Sequence, residues 1–134
     1  MKLLADTSAL LALALADDKH HREAVRFLID HPQARFVVTE LVLSELVTLV
    51  RRRLDAAKAA AAGRSVLESR RFELLFIDKD ILDGALGKIE RYRDKQLSLA
   101  DATSFEVIDR LGLGGAFSFD RDFRDCGYDM VPEM

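Results

Sequence analysis

Asp6, Glu45, Asp101 and Asp120 are the residues of this 134-residue chain whose types and settings could do chemistry. Asp6 directly follows the apolar run Leu3-Leu4-Ala5, and Asp120 follows Ala116-Phe117-Ser118-Phe119. Two short strands thus each deliver an acid to their carboxyl end. Glu45 lies inside the apolar-rich TELVLSELVT. On a helix its surface neighbours are Leu41, Val42, Thr48 and Leu49, which sets its carboxylate on or beside the apolar face. A carboxylate drawn out of water there needs a cation, a donor or a proton. Asp101 ends Ser98-Leu99-Ala100-Asp101, a capping-box pattern at a helix start, where negative charge is tolerated. Taken singly, 6, 101 and 120 read as turn or cap aspartates and 45 as a glutamate at a stripe edge. Gathered without a basic partner, the four would repel one another, and a divalent cation relieves that repulsion. Carboxylates unaccompanied by Cys or His select Mg²⁺ or Mn²⁺ over zinc.

The elements that must position these acids alternate in type. Strands are expected at Lys2–Ala5, Phe36–Val38, Phe72–Ile77 and Ala116–Phe119, with a short fifth at Asp129–Val131. Helices are expected at about 9–15 (capped by Thr7 or Ser8), 20–29, 40–53 (capped by Thr39), 55–68, 78–92 and 98–111, the last closed by Gly112. Strands alternating with helices imply an α/β fold, an α/β/α sandwich around a central, mostly parallel sheet of four to five strands. In such sheets ligands bind outside the carboxyl ends of the strands, where Asp6 and Asp120 stand. Ser118 should point away from Phe117 and Phe119, because strand residues alternate.

Composition bounds the function. Hydrophobic residues make up 49% and charged residues 32%, which describes an ordinary globular chain of one domain, 1–134. The net charge of −3 excludes a uniformly basic nucleic-acid grip, so any such contact falls to local patches. Arg51-Arg52-Arg53 is one such patch, a charge run at a helix end. Arg70-Arg71 and Arg91, Arg93 and Lys95 are others. The single cysteine, Cys126, allows no intrachain disulfide, and the expected compartment is the cytoplasm. Ala9–Ala16 has the composition of a signal-peptide core, but Lys2 alone supplies positive charge and Asp6 interrupts the run. No apolar stretch is long enough for a membrane span. His20, His21 and His31 lie apart from the acids in sequence and are expected at the surface.

Four segments resemble the PIN-domain ribonucleases, specifically the VapC toxins of toxin–antitoxin pairs. LLADTSAL (3–10) resembles that family's first strand and first acid, Asp6. TELVLSELVT (39–48) resembles the segment of its second acid, Glu45. LSLADAT (97–103) and AFSFDRDF (116–123) resemble those of the third and fourth, Asp101 and Asp120. The resemblance spans the whole chain, in order and spacing. It implies an endoribonuclease using Mg²⁺ (or Mn²⁺) held by Asp6, Glu45, Asp101 and Asp120, with Asp122 as a further acid. Ser8, Ser98 and Ser118 match supporting hydroxyl positions. Water attack would leave 5′-phosphate and 3′-hydroxyl ends. The implied partners are an RNA substrate, a cognate VapB-type antitoxin and a second copy of the chain in a homodimer. The segment Leu43–Val50 offers apolar surface for an interface or for core packing.

Other classes fit less well. A response-regulator receiver needs paired acids after the first strand and a late lysine, and a haloacid-dehalogenase phosphatase needs an acid where Ser8 stands. A PIN-fold interaction module, or an RNA-processing nuclease without a toxin role, remains the alternative. An inert module would have no reason to keep a repulsive acid cluster.

Overall fold

Leu3, Leu4 and Ala5 are buried on both sides of their strand, as a central strand of a parallel sheet requires. The computed structural model describes residues 1–133. Residue 134, part of the single domain expected from the sequence, lies outside them. The elements run β1 (Lys2–Ala5), α1 (Thr7–Ala14), α2 (His21–Asp30), β2 (Arg35–Thr39), α3 (Glu40–Arg53), α4 (Ala56–Glu68), β3 (Phe72–Leu75), α5 (Lys79–Arg91), α6 (Leu99–Leu111), β4 (Ala116–Phe117), α7 (Asp122–Asp125) and β5 (Met130–Val131). The five strands pair in parallel in the order β3-β2-β1-β4-β5.

Strand alternation splits the core into two layers. Leu3, Ala5, Phe36, Val38 and Phe117 face α1 to α4, and Leu4, Val37 and Ala116 face the layer that holds Phe105, Val107 and Ile108 of α6. Leu46 and Val50 of α3 are core residues of the first layer, with Leu43, Val47 and Leu49 packed against it. The apolar stretch Leu43–Val50 therefore serves core packing. Among the described residues no helix is long and apolar enough to cross a membrane.

Most boundaries shift by a residue from the sequence reading, and at three of them a side chain takes a backbone donor. The cap of α1 is Asp6 itself, whose carboxylate accepts the Ser8 N–H, so the helix starts at Thr7. β3 stops at Leu75, and the Ile77 N–H goes to Glu40 Oε1 at 2.6 Å. β4 stops at Phe117, and the Asp120 N–H turns to Ser118 Oγ at 3.0 Å.

The basic patches noted in the sequence are partly committed elsewhere. Arg71 donates from Nε, Nη1 and Nη2 to the carbonyls of Ala34, Leu28 and His31 (3.2, 2.9 and 2.5 Å). It thereby closes the C-terminal end of α2 onto the start of β2, at the amino edge of the sheet, away from the acids. On the other layer Gly84 of α5 leaves room for Glu106. That carboxylate is clasped by Lys88 and Arg110 at 2.6 Å each.

Arg71→Ala is expected to cost about 2 kcal/mol in urea denaturation, since it strips the Leu28 carbonyl of its donor and takes a charged second donor from Ala34 and His31, at a helix end where cations are favoured. Arg71→Lys should recover less than half of that loss, because one ammonium cannot span the three acceptors as the planar fork does.

Candidate active site

The site is built outward from Asp6. Its residue is 4% exposed, at the carboxyl end of the central strand. Its backbone N–H still joins the ladder through Phe117 O. Its Oδ2 accepts from Ser8 Oγ (2.7 Å), Ser118 Oγ (2.9 Å) and the Ser8 N–H (3.3 Å). The two hydroxyls also lie 3.2 Å apart, and they pin the neighbouring loop by accepting the N–H groups of Phe119 and Asp120. One oxygen of Asp6 is thus fully engaged. Among the described residues Oδ1 accepts no hydrogen bond and remains open.

Glu45 reaches the same edge from α3, and Thr7 Oγ1 donates to its Oε1 at 2.7 Å. Thr7 gave no sign in the sequence, because the contact joins residues 38 apart. Asp101 sits in the first turn of α6 in a complete capping box: its N–H donates to Ser98 Oγ, and its Oδ2 accepts the Ser98 N–H. Ser98 therefore supports Asp101 rather than Asp6. Asp120 Oδ1 accepts the Asp122 N–H at 2.9 Å, so Asp122 is placed behind Asp120 at the start of α7.

Electrostatics tie these residues together. Burial lifts the Asp6 carboxyl to about 6, the Ser8 and Ser118 hydroxyls oppose the rise, and the charges of Asp101 and Asp120 add to it. Asp101 is also raised, chiefly by burial, with Asp120 and Glu45 contributing. Burial raises Asp122 too, reinforced by Asp120. Among the described residues no ion pair links any of the four acids to a cation. Nor do three of the acids stand tightly enough together, as placed, to hold one ion. Asp101 and Asp120 are turned back onto their own backbone donors. The donor set still fits a hard divalent cation: all its groups are oxygens, the charges are uncompensated, and the buried Asp6 keeps one oxygen open.

The histidines are not free surface residues. All three are half-buried. His21 and His31 engage the carbonyls of Ala12 and Phe27 through Nδ1, while His20 stacks on Phe119, beside Asp120. Sequence separation concealed this, because the fold brings the start of α2 next to the loop after β4. Arg51, Arg52 and Arg53 are exposed in the last turn of α3, where they favour the helix dipole. Arg52 follows Glu45 by two turns on one helix face.

A family model described as the PIN domain matches residues 3–127. The chain belongs to the PIN-domain family. Within it, the chain is 31% identical over 126 residues to the 23S rRNA-specific endonuclease VapC20 of Mycobacterium tuberculosis, covering 94% of this chain and 95% of that one. Ribonuclease VapC26 of the same organism is 30% identical over 119 residues, 89% and 87% of the two chains. The crystal structure of VapC20, described as a sarcin–ricin loop cleaving toxin, superposes with a TM-score of 0.87 over 95% of this chain and 96% of that one. A toxin–antitoxin complex from Klebsiella pneumoniae shares the fold at a TM-score of 0.67 and 17% identity, over 96% and 95%. With these relatives the chain is a PIN-domain nuclease of the VapC kind.

The raised Asp6 carboxyl has a testable sign. Folding favours its protonated form, so in metal-free protein its contribution to stability is full below about pH 4 and is lost as pH rises through 6. A carbon-detected NMR titration of the metal-free chain should show one aspartate with a midpoint near 6. Adding 10 mM Mg²⁺ should lower that midpoint by about one to three pH units. A midpoint that does not respond to Mg²⁺ would remove Asp6 from the metal site.

Proposed function

We propose that this VapC-type nuclease hydrolyses RNA phosphodiester bonds at the Asp6, Glu45, Asp101 and Asp120 edge with Mg²⁺ or Mn²⁺, leaving 5′-phosphate and 3′-hydroxyl ends. The observation that carries this reading is the Asp6 carboxylate: buried, saturated at one oxygen, open at the other, and lying in the field of Asp101 and Asp120. Asp6, Asp101 and Asp120 would hold the ion, with Asp122 behind Asp120. A divalent cation there supplies Lewis acidity, acidifying water and offsetting the charge that builds on the phosphate.

The chain's own residues supply the remaining steps. Ser8 and Ser118 fix the Asp6 carboxylate in one rotamer and hold the Phe119–Asp120 backbone against it. Thr7 holds one oxygen of Glu45, and the other accepts a proton from the attacking water. Water attacks phosphorus in line as the bond from phosphorus to the 3′ oxygen breaks, and that oxygen takes a proton from solvent to leave as the 3′-hydroxyl. No Ser, Cys or His nucleophile takes part.

The VapC relatives support a toxin role with a VapB-type antitoxin, and the family resemblance extends to a homodimer. Because VapC20 is named for 23S rRNA, ribosomal RNA is the first substrate to test. The exposed Arg51, Arg52 and Arg53 are the basic groups proposed to meet RNA phosphates.

Sequencing the 5′ ends of total RNA after incubation with purified protein and Mg²⁺ should show discrete cleavage sites that excess EDTA abolishes. Glu45→Gln should lower kcat by about 10²–10⁴-fold. Asp6→Asn should be inactive yet no less stable than the parent at pH 7, since it removes a buried charge. Cleavage that persists in Asp6→Asn or in EDTA would overturn the mechanism.

A further inference from the structure

A stack of rings at the rim of the acid cluster is not used by the hydrolysis described above. His20, at the start of α2, lies face to face on Phe119, with centroids 4.3 Å apart and planes within 1°. Phe119 directly precedes Asp120. Its N–H donates to Ser8 Oγ (2.9 Å), which donates on to Asp6 Oδ2 (2.7 Å). Phe119 is thus tied through its backbone to the hydrogen-bonded unit that holds Asp6, with Asp120 next in the chain. Phe119 leans on Phe117 at 6.4 Å, and Phe117 stacks on Phe27 at 5.3 Å, so the pair is anchored to the core.

His20 differs from the other two histidines. Their Nδ1 atoms meet backbone carbonyls. Among the described residues no hydrogen bond engages the His20 ring, and only its backbone is fixed, by donation to Asp18 Oδ1 at 2.8 Å. The residue is half-buried, with one face of its ring on Phe119 and the ring nitrogens uncommitted among the described residues. Single-stranded RNA is recognised by bases laid on aromatic and histidine rings, and such rings bind best when pre-positioned.

We infer that His20 and Phe119 form a stacking platform for an unpaired nucleobase on a nucleotide adjoining the scissile phosphate, the base lying on the face of the His20 ring turned away from Phe119. This rests on the ribonuclease reading and adds a base subsite to it. The placement supports an adjoining nucleotide: Phe119, the inner ring of the platform, directly precedes Asp120, and the His20 ring lies one stacking layer, 4.3 Å, beyond it. Were the pair only core filler, its removal would lower stability and affect every substrate alike.

The test uses an RNA oligonucleotide copied from the strongest site found by 5′-end mapping, and a set in which each nucleotide flanking the cut is made abasic in turn. On the parent enzyme, one abasic position should lower kcat/KM by about 10- to 100-fold, mainly through KM. His20→Ala should show a similar loss on intact RNA and no further loss on that abasic RNA. His20→Phe, which keeps a stacking ring, should retain most of the parent's activity and its sensitivity to the abasic position. A flat abasic scan on RNA that the parent cleaves would overturn the platform while leaving the nuclease standing. So would losses from His20→Ala and from the abasic site that multiply independently. If the parent cuts no RNA in Mg²⁺, the ribonuclease reading falls and the platform with it. Should His20→Ala fold poorly, His20→Phe on the abasic set carries the test, and a flat scan on the parent overturns the platform without any variant.

Discussion

A carboxylate buried at the end of the central strand constrains everything around it. Asp6 is placed there by β1, whose neighbours on both sides fix its height in the sheet. Burying a carboxyl group costs free energy unless donors or a cation meet it. Ser8 and Ser118 supply donors to one oxygen only, and the nearby acids raise the cost further. The hydroxyls make the loop after β4 part of the same unit, and Asp120 is carried into position by that attachment. The parallel sheet serves the site by bringing β1 and β4 side by side, so that two acids leave it at one edge.

The helices complete the edge from opposite layers. α3 approaches from the layer of Phe36 and Val38 and brings Glu45, and α6 approaches from the layer of Leu4 and Val37 and brings Asp101. Each acid is steadied locally before any ion is considered: Glu45 by Thr7, Asp101 by Ser98, Asp120 by the Asp122 N–H. That local satisfaction explains why the carboxylates share an electrostatic field without yet converging on one point. On the proposed reading, closing on an ion would exchange backbone donors for a metal.

Local patterns made much of this arrangement readable from the chain. An apolar run ending in an acid announced Asp6 and Asp120, and Ser98 to Asp101 formed the capping box that its spacing implied. The alternation of strands and helices led to the parallel sheet between two helical layers. What escaped were contacts between distant segments and side chains that redirect the backbone. Thr7 meets Glu45 across 38 residues, and Ser8 meets Ser118 across 110. Arg71 looked like part of a basic surface patch because nothing local shows that it meets three carbonyls. His20 looked remote from the acids because only the folded sheet brings α2 beside Phe119. The strand ends at Leu75 and Phe117 were missed for a related reason: Glu40 and Ser118 withdraw donors from the ladder.

The pairing of β1 with β4 also bears on how the protein comes into being. Synthesis runs from the amino end, and Asp6 and Glu45 exist long before Asp101 and Asp120 do. Until β4 emerges, β1 lacks one neighbour and Asp6 lacks the Ser118 hydroxyl. A nascent or truncated chain therefore carries only half of the acidic edge.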